Sequence, residues 1–133
     1  MDSISVSEDI KIEKVIRILC IDDEEKILKA IRRLMRSIDD TLLKFQLKTT
    51  NNPLEGIELI KNYDFDIIIT DFKMPIMNGD IFIKEARKIK NNFVVICMSG
   101  SSFHDIKHAG ANYYIEKPFD FRTFLELLKI ISS

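Results

Sequence analysis

Asp66-Ile67-Ile68-Ile69-Thr70-Asp71 is a run of β-branched side chains closed at each end by a carboxylate. A continuous run of this kind has no polar face, so it reads as a strand covered on both sides, as in the middle of a parallel sheet. Phe93 to Ser99, Phe-Val-Val-Ile-Cys-Met-Ser, is a second such run. Ile16 to Ile21 is a third, broken by Arg17. Phe45 to Thr50 alternates, and Asn112 to Glu116 is a short fifth strand. Helical spacing fills the intervals. Ile27, Leu28, Ile31, Leu34, Met35 and Ile38 mark a helix over about Glu24 to Ile38. Asn52-Pro53 is a cap followed by Pro at the first helical position, opening a helix to about Asn62. Gly79 to Lys90 places Phe82, Ala86 and Ile89 on one side. Ser102 to Ala109 reads as a short helix, and Phe119 to Ile131 as a last one with Phe121, Phe124, Leu125 and Leu128 inward. Strand and helix thus alternate five times. That pattern predicts an α/β fold, a parallel sheet with right-handed crossovers and helices on both faces.

The 133 residues suffice for one domain. Met1 to Lys14 reads as an N-terminal arm and residues 15–133 as the domain. Hydrophobic residues at 46% and charged residues at 31% give a globular balance. A net charge of −1 offers no global attraction to nucleic acid or anionic membrane, and none is expected. Cys20 and Cys97 sit in apolar runs and read as buried, reduced thiols. The longest apolar run is far short of the roughly 20 residues of a membrane span. The first residues lack the basic start and apolar stretch of a secretory signal, so a cytoplasmic setting is expected.

In an open sheet of this type, chemistry gathers outside the carboxyl ends of the strands. The first strand ends in Asp22-Asp23-Glu24, the third in Asp71 and the fourth in Ser99-Gly100, and Lys117-Pro118 follows the fifth. Three converging carboxylates repel one another, and a hard divalent cation neutralises them. A mixed carboxylate and water shell suits Mg²⁺. Without Cys or His at the rim, a zinc site is not expected. An ammonium beside such a site points to phosphoryl chemistry, in which charge neutralisation does most of the catalysis. Asp71, ending the most buried strand, is then the candidate carboxylate nucleophile.

Ile18-Leu-Cys-Ile-Asp-Asp-Glu24, Asp66 to Gly79 with its Asp71-Phe-Lys-Met-Pro75 core, Met98-Ser-Gly100 and Ala109 to Phe119 with its Lys117-Pro118 resemble the receiver domain of two-component response regulators, the CheY-like family. The resemblance covers about Arg17 to Ile131. It implies a flavodoxin-like (βα)5 doubly wound fold with a five-stranded parallel sheet in the order 2-1-3-4-5. It also implies roles. Asp71 becomes the phosphoacceptor, and Lys117 contacts the phosphoryl group. Asp23 ligates Mg²⁺ directly, Asp22 largely through water, and the Lys73 carbonyl adds a ligand. Ser99 and Tyr114 stand at the paired switch positions, with Gly100 as the small residue after Ser99. The Lys117–Pro118 peptide is expected to be cis. The implied partners are a sensor histidine kinase or histidine phosphotransfer protein and a downstream protein target. The chain is expected to act as a monomer or weak homodimer, and not as a turnover enzyme.

Several positions depart from the family or leave alternatives open. Ser99 to Lys117 is about one helical turn shorter than the family pattern, so the fourth helix is expected to be shortened. Lys73 reads as a solvated lysine lending its carbonyl, or as an ammonium that tunes water access. His104 and His108 read as surface residues. Arg32, Arg33 and Arg36 form a small basic cluster, either a solvated face or a dock for an acidic kinase surface. The alternative function is a non-phosphorylated pseudo-receiver serving as a protein-binding scaffold, which has no need of three mutually repelling carboxylates. A phosphohydrolase of the haloacid-dehalogenase type requires a second carboxylate two residues past the nucleophile, where this chain has Lys73.

Overall fold

The structure is a computed structural model and describes residues 14–38, 43–100 and 109–133. Five parallel strands form one sheet: β1 (Lys14–Ile21), β2 (Leu43–Thr50), β3 (Ile67–Asp71), β4 (Val94–Ser99) and β5 (Tyr113–Glu116). Among the described residues four helices cover it: α1 (Glu25–Ser37), α2 (Pro53–Asn62), α3 (Gly79–Ile89) and α4 (Phe121–Ser132). The order is β2-β1-β3-β4-β5, as expected. The chain leaves β1 toward β2 on one side and returns to β3 on the other. That reversal opens a crevice at the carboxyl ends of β1 and β3.

The apolar runs are continuous because both faces are buried. In β3, Ile67 and Ile69 join one core with Ile18, Ile96, Leu28 and Phe124, while Ile68 joins the other with Leu19, Val95 and Phe82. The edge strand β2 behaves differently. Leu43, Phe45 and Leu47 pack inward, and Lys44, Gln46 and Lys48 face solvent. Charged residues on an exposed edge discourage pairing with a second sheet. The helix-start signal at Asn52 is realised: its Oδ1 accepts from the Leu54 N–H at 2.9 Å, with Pro53 in the first turn.

Three readings change. Phe121 is 42% exposed and not part of the core. The helix begins after its cap, where Asp120 accepts from the Arg122 N–H at 2.9 Å. Phe119, before the cap, fills the inward position and stacks on Phe124 at 5.3 Å. Lys14, assigned to the arm, is the first residue of β1; it pairs with Leu43, and its ammonium donates to the Ser132 carbonyl. Arg32 is a structural tie and not a free cation. It donates to Thr49 Oγ1 at 2.7 and 3.1 Å and pairs with Glu25 at 2.9 Å, whereas Arg33 and Arg36 are exposed. The rest of the arm, the shortened helix and both histidines lie outside the described residues.

The turn from β3 to α3 carries the tightest constraints. Gly79 donates its N–H to the Phe72 carbonyl at 2.6 Å. A Cβ on Gly79 would overlap the Asp71 carbonyl oxygen and crowd Phe72 Cα. Both are backbone atoms and cannot yield. Ile76 has φ of +75°, and Met77 N–H donates back to the Pro75 carbonyl at 2.8 Å. This is a three-residue turn with a β-branched residue in the left-handed region, which is strained. Ile76 is 71% exposed and recovers little of that cost by packing.

Opposite effects are therefore expected within one turn. Gly79→Ala lowers stability by about 3 kcal/mol through overpacking. Gly100→Ala changes it by under about 0.5 kcal/mol, since a Cβ there meets nothing within 4 Å among the described residues. Ile76→Asn raises stability by about 1 kcal/mol, because Asn tolerates positive φ. Urea midpoints of the three variants check these outcomes.

Candidate functional site

The strand register builds the site. Ile21 pairs with Thr70, so the next residues, Asp22 and Asp71, emerge side by side. Asp71 pairs with Met98, which brings Ser99 level with them, and Ser99 pairs with Glu116, which sets Lys117 one step beyond. Lys117 N–H donates to the Ser99 carbonyl at 2.8 Å. The Lys117 ammonium then reaches back across the sheet. It donates to Asp22 Oδ2 at 2.8 Å, lies 3.2 Å from Asp71 Oδ1 and 3.7 Å from Glu24 Oε1. The Lys117–Pro118 peptide is cis.

Each carboxylate has its own environment. Asp22 is fully buried and also accepts from the Glu24 N–H at 2.9 Å. Asp71 is 5% exposed and accepts from the Phe72 N–H at 2.9 Å. Asp23 is exposed. One oxygen from each of Asp22, Asp23 and Asp71 lies within 4.8 Å of the others. Such a donor set fits a hard divalent cation that keeps part of its water shell. An open cleft of about 570 Å³ lies over them, lined by Asp23, Glu24, Asp71, Lys73, Ser99 and Lys117 among others. Ser99 is buried, and Gly100 after it is exposed. Tyr114 is half-buried against the core on the α3 side, while Tyr113 faces outward at 38% exposure.

The charges do not balance. Burial, followed by repulsion from Asp22, pushes the Asp71 carboxyl up to about 6, against the pull of Lys117 and the Phe72 N–H. Burial also raises Asp22, again opposed by Lys117 and the Glu24 N–H. Burial alone would lower the Lys117 ammonium, but hydrogen bonds and attraction from Asp22 and Asp71 raise it. Lys117 is thus a cation, held by two carboxylates that are costly to ionise.

Asp22, Asp23, Asp71, Lys73, Ser99, Gly100, Lys117 and Pro118 lie at one rim, whereas Tyr114 sits further down the sheet, level with Cys97. The expectation overlooked Glu24 as a cleft residue, although it is the third consecutive acid of the Asp22-Asp23-Glu24 run. It also overlooked the Phe72 N–H and the backbone crowding at Gly79. Backbone donors leave no mark on side-chain identity, and only the glycine itself signals the crowding.

A carboxyl raised on folding binds its proton more tightly in the folded than in the unfolded chain. Its contribution to stability therefore falls as pH rises from about 4 through about 6 and is constant above. Without divalent cations, Asp71→Asn is expected to be more stable than the native protein at pH 7.5 by roughly 2 kcal/mol, with the difference vanishing near pH 4. A hard divalent cation narrows the gap at pH 7.5. Chemical denaturation at both pH values, with and without the cation, checks this.

Residues 18–129 match the family model described as the response regulator receiver domain. The cell cycle transcriptional regulator CtrA of Caulobacter vibrioides is 34% identical over 107 residues, which cover 77% of this chain and 44% of that protein. The cell cycle response regulator CtrA of Brucella ovis is 32% identical over the same extent. The chain thus spans less than half the length of these curated relatives. One of them is by name a transcriptional regulator, so the expectation of no contact with nucleic acid gains no support from them. A CheY-like response regulator receiver domain protein from Methanospirillum hungatei superposes with a TM-score of 0.77 at 27% identity, covering 88% of this chain and 93% of that one. A receiver domain protein from Clostridium thermocellum gives 0.74 at 28% identity, covering 87% and 93%. Among the described residues no helix is long and apolar enough to cross a membrane. With the strand order, the converging rim and the match over residues 18–129 in agreement, the chain belongs to the response regulator receiver domain family.

Proposed function

We propose that this receiver takes a phosphoryl group onto Asp71 from a phosphohistidine of a sensor kinase or phosphotransfer protein, and that the modified carboxylate switches the surface read by a downstream protein. The observation that carries the reading is the single ammonium of Lys117 shared between Asp22 and Asp71. A scaffold gains nothing from burying two carboxylates against one cation.

In the transfer, an Asp71 oxygen bonds to phosphorus as the bond from phosphorus to the histidine nitrogen breaks, and the imidazole leaves with the electron pair. Lys117 follows the developing charge on the phosphoryl oxygens. Asp22, Asp23, Asp71 and the Lys73 carbonyl would hold Mg²⁺, which would supply further neutralisation of that charge. The acyl phosphate then attracts the Ser99 hydroxyl, and Tyr114 turns into the space released beside it. This is a local charge change acting on a two-state element. Since the phosphoryl group ends on the protein itself, the chain works as a relay module in a cytoplasmic pathway and not as a turnover enzyme.

Incubation with Mg²⁺ and acetyl phosphate, followed by intact mass measurement, tests the reading. One phosphoryl adduct is expected on the native protein, none on Asp71→Asn, and formation slowed at least about ten-fold in Lys117→Gln. A native protein that stays unmodified under these conditions would make it a non-phosphorylated scaffold.

A further inference from the structure

Glu24 occupies the N-cap position of α1, yet its side chain makes no capping hydrogen bond. Its backbone is held on both sides. Glu24 N–H donates to Asp22 Oδ1 at 2.9 Å, and its carbonyl accepts from Ile27 N–H at 3.0 Å and Leu28 N–H at 3.4 Å. The carboxylate lines the cleft and stands 3.7 Å from the Lys117 ammonium, which itself contacts Asp71. An acid that neither caps its helix nor belongs to the buried pair thus stands at the cleft mouth, 61% exposed on a backbone held at both ends, and shares a cation with the phosphoacceptor candidate.

We propose that Glu24 is a specificity-determining residue, whose fixed negative charge draws a divalent cation into the cleft and discriminates against phosphodonors that carry two negative charges. The inference rests on the phosphoacceptor reading of Asp71. Its physics is Coulombic. At the roughly 7 Å that a shared ammonium allows, and with the screening of bulk water that an open cleft mouth admits, one unit charge changes the local concentration of another by about three-fold. A dianion is therefore disfavoured about three-fold more than a monoanion, and a divalent cation is favoured. Salt weakens both effects, since the Debye length at 0.15 M is about 8 Å.

The test compares native protein, Glu24→Gln and Glu58→Gln, the last a control of equal net charge on α2, outside the cleft. Acetyl phosphate, a dianion at neutral pH, and phosphoramidate, a monoanion, serve as donors at saturating Mg²⁺. Glu24→Gln is expected to raise the acetyl phosphate rate relative to the phosphoramidate rate about three-fold, with the gain shrinking in 0.5 M salt. The same variant is expected to bind Mg²⁺ several-fold more weakly by calorimetric titration, with Glu58→Gln unchanged in both respects. A loss of folding would depress both rates together and cannot produce a raised ratio with weakened metal affinity. A native protein that is phosphorylated while Glu24→Gln leaves the donor ratio unchanged overturns this inference alone. A native protein that accepts from neither donor overturns the functional reading, and this inference with it.

Discussion

One ammonium holds the functional end of this molecule together. Asp22 and Asp71 stand at the ends of adjacent strands, nearly without solvent; burial disfavours ionisation of both, and Asp22 adds to it at Asp71. Removing such charges from water costs several kcal/mol apiece unless a counter-charge is supplied. The cation comes from Lys117, at the far end of β5, two strands away from β3. It can arrive only because the strands end level with one another. A slip of one residue between β4 and β5 would point the lysine at the opposite face of the sheet. The polar site thus depends on the apolar register beneath it.

That dependence decides which features were legible in the sequence. The three isoleucines of β3 reveal a strand buried on both faces, and Asn52-Pro53 reveals a helix start, because in each case the residue type causes the local structure. Convergence of Asp22, Asp71, Ser99 and Lys117 follows from the topology once the strands are found. What escaped detection depends on competition between neighbours. Phe119 and Phe121 are both large and apolar, and the Asp120 cap between them decides which one faces the core. Arg32 looks like its neighbours Arg33 and Arg36 until Thr49 on β2 is placed beneath it. The strain at Ile76 is invisible in composition, since isoleucine gives no hint of a positive φ.

Asp71 is fenced by backbone: Phe72 N–H donates both to its carboxylate and to the Met98 carbonyl, and the Phe72 carbonyl accepts from the Gly79 N–H that closes the turn. The Thr70 hydroxyl donates to the Asp71 carbonyl at 2.9 Å. Toward β5 the site is joined by the β4–β5 ladder, by the Lys117 N–H to Ser99 carbonyl bond and by the ammonium itself.

The charges of the site are unevenly matched, and in the proposed reading that imbalance is what makes it responsive. Asp22, Asp71 and Glu24 all lie within 3.7 Å of the Lys117 ammonium, and Asp23 offers an oxygen within 4.8 Å of those of Asp22 and Asp71. A balanced site would gain little from a new cation or a new phosphoryl group and would have no reason to move when one arrived. Here the excess negative charge gives any divalent cation a differential affinity for the folded, assembled rim. In the proposed reading, a phosphoryl group on Asp71 then changes which oxygens compete for Lys117. A ligand shifts a conformational equilibrium only by the difference in its affinity for the two states. The unbalanced carboxylates supply that difference at the point where β1, β3, β4 and β5 meet.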